Sequence, residues 1–197
     1  MYYGLYKNIR HSAWQCLIDF NIDRLPVDVL KIARAAGIRV IKNSSVNILQ
    51  PDENGKSFFD GSVWIIIYND ENPTEISRYT VAHELGHIFL GHDLCLGHYP
   101  QAKEVSKKSK TEQQADMFAQ RLLCPACVIW GLQLHTSEDI ARFCRVEKDV
   151  ADIRAKRMKA LYERSKFLTD PSERLLYANF CEYISEERLL KDNNFNL

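Results

Sequence analysis

The stretch TVAHELGHIFLGHDL, Thr80 to Leu94, sets three histidines and one glutamate in an otherwise apolar run. Val81, Ala82, Leu85, Ile88, Phe89 and Leu90 mark it as a buried helix, and polar groups on a buried element need partners. His83 and His87 are four residues apart, so their imidazoles project from one helix face, one turn apart. Two neutral imidazoles so placed can hold one Zn²⁺ at about 2.0–2.1 Å each. Glu84, one residue past the first histidine, reaches water at the metal rather than the metal itself, which suits a general base.

A catalytic zinc needs a third protein ligand and an open position. His92 is nine residues beyond His83, about 180° further round a continuous helix, so it is expected to face away as a helix-end cap or an exposed residue. Its replacement by alanine is then expected to leave metal content near normal. The metzincin extension fails too, because Leu90 and Asp93 stand where it needs glycine and histidine. The run TEQQADMFAQRLLCP offers a better source. It reads as a helix capped by Thr111 and stopped before Pro125, with Glu112 and Asp116 one turn apart. One carboxylate can ligate the metal while the other accepts a hydrogen bond from a ligand histidine. Spacing alone leaves open which does which.

The flanking sequence gives these helices a scaffold. Leu5 to Phe20 has helical periodicity. LPVDVLKIARAAGIRVIK reads as proline, amphipathic helix, Gly37 cap and a strand from Ile38. SFFDGSVWIIIYND reads as a hairpin turning at Asp60-Gly61, with Val63 to Tyr68 as a buried strand. Pro73 and Thr74 open the histidine helix. QAKEVSKKSK is a polar connector. TSEDIARFCRVEKDVADIRAKRMKALYER predicts two helices split near Arg145-Val146, and PSERLLYANFCEYISEERLL predicts one final helix. The expected division is residues 1–130, a mixed domain, and 131–197, all helical.

HELGH followed by EQQADMFAQRLLCP resembles the ImmA/IrrE family of zinc metallopeptidases. Glu112, Ala115, Asp116, Phe118, Ala119, Leu122, Leu123 and Pro125 fit that family's second motif. PVDVLKIARAAGIRVI, upstream, and TSEDIARFCRVEKDVADIRAKRM, downstream, also look familial, so the resemblance covers most of Pro26 to Leu161. It implies an α+β, zincin-like metallopeptidase domain with a small twisted sheet, followed by a helical segment similar to a helix-turn-helix. It implies Glu112 as third ligand beside His83 and His87, and Glu84 as base. Asp116 is then left to orient a ligand histidine. It also implies cleavage of a helix-turn-helix repressor, in the compact form associated with mobile elements rather than the form with a C-terminal sensory domain.

Composition narrows the alternatives. The 26 basic and 26 acidic residues balance, so no overall field draws the chain to nucleic acid or membrane. Arg142 to Lys166 nonetheless holds nine basic and four acidic residues. That excess keeps a second reading in play: a regulatory protein with a zinc-stabilised fold that contacts a repressor or DNA without cleaving anything. No run is long and apolar enough to span a bilayer. The N-terminal stretch lacks the pattern of a secretion signal, and six cysteines lie far apart, so reduced thiols and a cytoplasmic location are expected. Cys124 and Cys127 form a lone Cys-x-x-Cys, read as a buried helix-end feature. Val63 to Tyr68 is a candidate strand for pairing with extended substrate. His98, Tyr99 and Tyr68 are candidates for stabilising the oxyanion.

Overall fold

The computed structural model describes residues 3–92 and 109–194. It is α+β, and among the described residues it has nine α-helices and one three-stranded sheet. The chain divides into two compact units, Met1–Ser12 with Val29–Ala119 and Ala13–Asp28 with Gln120–Leu197. The N-terminal helix is α1 (Tyr3–Asp19).

In the first unit, α2 (Val29–Ala35) ends at Gly37, whose φ of +70° is open to glycine at little cost, and the chain turns into β1 (Arg39–Lys42). β2 (Gly55–Phe59) and β3 (Trp64–Tyr68) form the expected hairpin, but through a four-residue loop rather than a two-residue turn. Asp60 organises that loop. Its carboxylate accepts from the backbone of Ser62 and Val63 at 2.8 and 2.9 Å.

The strand order is β1-β3-β2, with β1 parallel and β2 antiparallel to β3. β3 is therefore the central strand, buried at Ile65, Ile66 and Ile67. Both its edges are paired, so it has none to offer a substrate, contrary to the sequence expectation.

Helix α3 (Thr74–Phe89) begins after Pro73 and carries Glu75 in its first turn, which suits the positive end of the helix dipole. Val81, Ala82 and Leu85 are buried, and α3 packs on β2 and β3. β2 passes close beneath it. A side chain at Gly55 would run into Thr80 and the Ile67 carbonyl. Helix α4 (Lys110–Leu123) supplies the second wall of the site. Its N-terminal cap is Ser109, whose hydroxyl accepts from the Glu112 backbone at 3.2 Å, rather than the expected Thr111.

The second unit is helical beyond α4: α5 (Ala126–Gly131), α6 (Ser137–Cys144), α7 (Lys148–Glu163), α8 (Pro171–Asn179) and α9 (Cys181–Asn194). Thr136 caps α6 by accepting from the Asp139 backbone at 3.1 Å, and Arg145 ends it in the left-handed region, φ 48°. α6 and α7 pack together across the turn at residues 145–147. The expected final helix is broken at Phe180, which is fully buried, so α8 and α9 are separate. Cys124 and Cys127 are buried thiols outside any disulfide, and burial pushes the pKa of Cys127 up to about 12. A thiol held neutral in this way is a poor nucleophile. Among the described residues, no helix is long and apolar enough to cross a membrane.

Candidate metal centre

Helix α3 presents His83 and His87 on one face, their ring centroids 4.8 Å apart. Helix α4 brings Glu112 to them. His83 Nε2 is 3.0 Å from His87 Nε2 and 3.1 Å from Glu112 Oε2, and His87 Nε2 is 3.3 Å from Glu112 Oε1. Two atoms bound to one tetrahedral zinc at about 2.0–2.1 Å stand roughly 3.3 Å apart, so the spacing suits a common cation. Among the described residues, this trio is the group of histidines and carboxylates able to hold a metal ion.

The donor chemistry points the same way. Asp116 Oδ1 lies 3.0 Å from His83 Nδ1 and also accepts from the Tyr79 hydroxyl at 3.2 Å. A carboxylate there fixes the proton on Nδ1 and leaves the Nε2 lone pair facing Glu112 and His87. Burial alone would lower the proton affinity of His83. Hydrogen bonds to Asp116 and Glu112 outweigh it and raise the pKa to about 9. Glu112 is pulled well below the usual carboxylate range, chiefly by the imidazoles of His83 and His87. A proton at His83 Nε2 serves one of these converging acceptors, whereas a cation serves all three at once.

Glu84 points from the same helix toward the sheet. It is buried, 8 % exposed, and accepts a 2.6 Å hydrogen bond from the Ser57 hydroxyl on β2. Burial raises its pKa, while that bond and the nearby imidazoles oppose the rise. A carboxylate tuned upward is a better proton acceptor near neutral pH. Ser57 is a site residue that sequence reasoning missed. Its only local signal is a polar residue inside a hairpin strand.

The close approach of α3 and α4 depends on Gly86. A side chain there would meet Ala115 Cα, Ala115 O and Phe118 Cβ, each at 3.2 Å. Alanine gains roughly 1 kcal/mol of helix propensity over glycine. Overpacking costs typically about 1–3 kcal/mol, and here the obstacle is mostly helix backbone, which cannot rotate aside. We expect Gly86→Ala to lower stability, by up to about 2 kcal/mol in urea titration, and to weaken cation uptake by shifting Glu112. A variant more stable than the parent would show that the helices separate freely.

His92 departs from the sequence expectation. The helix does not continue to it. Leu90 caps α3, Gly91 adopts φ +65°, and the His92 amide donates back to the His87 carbonyl at 3.1 Å. This reversal carries the ring of His92 to His87, with Nδ1 to Nδ1 at 3.0 Å, so it does not face away. Desolvation lowers the pKa of His92. His98 and Tyr99 lie outside the described residues. Tyr68 lines a different cavity, of about 260 Å³, with Thr74, Ser77, Arg78 and Val81, and none of His83, His87 and Glu112 borders it.

The model of the IrrE N-terminal-like domain, Peptidase M78, matches residues 33–156 of this chain, more than half its length. No curated protein matches it. The matched span takes in the whole sheet, the histidine helix, the carboxylate helix and most of α7. The chain thus belongs to the ImmA/IrrE family of metallopeptidases.

Proposed function

We propose that the protein is a zinc-dependent endopeptidase that cleaves a specific regulatory protein, a helix-turn-helix repressor of the kind carried by mobile elements. The observation that carries this reading is the convergence of His83, His87 and Glu112 beside a buried glutamate that none of the three donors needs as a partner. Two imidazoles and one carboxylate are the donor set of a zinc that keeps a position open for chemistry. Zinc bound there supplies a lowered pKa for water and polarises the scissile carbonyl. Glu84 takes the proton from the attacking water and passes it to the leaving amine. Asp116 holds His83 in its ligand tautomer.

β2 is the strand best placed to receive substrate. It has one strand neighbour among the described residues and carries Ser57 directly beneath Glu84. An extended segment added along its edge lies near the base. Ser57 acts by aiming Glu84. Ser57→Ala is expected to lower kcat about tenfold with KM and zinc content unchanged, since general-base catalysis weakens when the base is free to turn. Loss of zinc in that variant would assign Ser57 a structural role instead.

The direct test incubates the zinc-loaded protein with candidate helix-turn-helix repressors and reads fragments by intact mass. Cleavage that stops on adding a chelator supports the reading, and intact partners throughout oppose it. The second reading, action by contacting a repressor or DNA, draws on the basic residues between Arg142 and Lys166. One of the nine is withdrawn from that surface. Arg154 is buried, and its Nε donates to the Cys124 carbonyl at 2.6 Å. Arg142 and Lys148 sit near Asp139 and Glu138 at 3.0 and 3.6 Å, which thins the excess further.

A further inference from the structure

His92 is the middle link of a hydrogen-bonded chain that the metal reading does not by itself require. Its Nε2 lies 2.7 Å from the side-chain oxygen of Gln114, on α4, and its Nδ1 lies 3.0 Å from Nδ1 of His87. An amide oxygen only accepts, so the proton of a neutral His92 is on Nε2. Its Nδ1 is then an acceptor, and the proton between the two rings belongs to Nδ1 of His87. That leaves the Nε2 lone pair of His87 facing His83 Nε2 and Glu112. Each step follows from donor and acceptor inventory, and the chain has one consistent direction.

We propose that His92, held by Gln114, is the positioning residue of His87, fixing the tautomer and ring orientation with which His87 meets the metal. The inference rests on the zinc centre proposed above and adds a second support to it. His83 is oriented by a charged acceptor, Asp116, and His87 by a neutral one, His92. The backbone makes this possible. The left-handed Gly91 and the bond from the His92 amide to the His87 carbonyl return the chain to the end of its own helix. The ring centroids are 5.0 Å apart, a separation that suits a direct 3.0 Å bond between two ring nitrogens.

The alternative is that His92 merely fills space beside His87, and three variants of the full chain separate the two. His92→Phe keeps a ring and removes the acceptor. His92→Asn removes the ring and keeps an acceptor near the Nδ1 position. Gln114→Ala leaves the His92–His87 contact in place and frees the His92 tautomer. Zinc affinity by competition with a chromophoric chelator is expected to weaken about 10–100-fold in His92→Phe, to recover to within a few-fold of wild type in His92→Asn, and to weaken severalfold in Gln114→Ala. In the zinc-loaded wild type, the Nδ1 proton of His87 should appear in ¹H–¹⁵N spectra protected from exchange, and this protection should be lost in His92→Phe. Affinity in His92→Phe equal to wild type overturns the proposal, as does His92→Asn binding no better than His92→Phe. A wild-type chain that takes up no zinc overturns the metal centre and this inference with it.

Discussion

Glu84→Gln is expected to keep its zinc and lose its proteolysis. The side chain is buried and held by the Ser57 hydroxyl, and a glutamine oxygen accepts that same bond, so fold and site geometry persist. Glutamine cannot take a proton from water. Removing a positioned general base costs roughly 10²–10⁴ in rate. Binding should survive because neither the metal donors nor β2 has changed. The variant is therefore the right bait: co-expressed in the native host, it should retain an intact partner that the wild type shortens. If Glu84→Gln relieves repression as well as the wild type does, cleavage is not the function and the non-catalytic reading takes over.

Glu112→Ala separates a metal centre from a hydrogen-bonded cluster. Glu112 is 45 % exposed at the side chain and sits in the first turn of α4, where alanine is well tolerated, so the helix should remain. The site falls from three donors to two. Structural zinc sites bind with about 10–16 kcal/mol in total, so losing one ligand should weaken zinc by on the order of 10²–10³-fold. Metal content after dialysis, with circular dichroism on the same samples, reads both halves of the expectation. Full zinc occupancy in Glu112→Ala would move the third ligand elsewhere.

The parts of the site visible in the sequence are those set by spacing along one helix. His83, Glu84 and His87 needed only the four-residue interval; the next such interval marked Glu112 and Asp116 as a pair, and the resemblance, not the spacing, divided their roles. Geometry that depends on where a helix stops was misread. Counting His92 round a continuous helix put it on the wrong side, although Gly91 was a legible stop signal. Ser57 could not be found from spacing, because its bond to Glu84 joins residues 27 apart through a strand-helix packing that no local pattern encodes. The hairpin was legible from Asp60-Gly61, but its place in the sheet was not. The parallel pairing of β1 with β3 makes β3 central and leaves β1 and β2 as the edge strands, of which β2 carries Ser57. The break at Phe180 was hidden because neither glycine nor proline marks it.

The passage of β2 beneath α3 sets a rule for which changes of length this protein can accept. Gly55 lies under Thr80 and Ser57 under Glu84. Two strand residues advance about 6.6 Å and four helix residues about 6 Å, so the two elements keep step over this interval. One residue inserted between Gly55 and Ser57 would turn the serine to the opposite face of the sheet and put a different side chain under the glutamate. The Asp60–Val63 loop, a few residues away, carries no such constraint. A longer hairpin tip is expected to leave this register intact, while the short interval from Gly55 to Ser57 works as a fixed gauge.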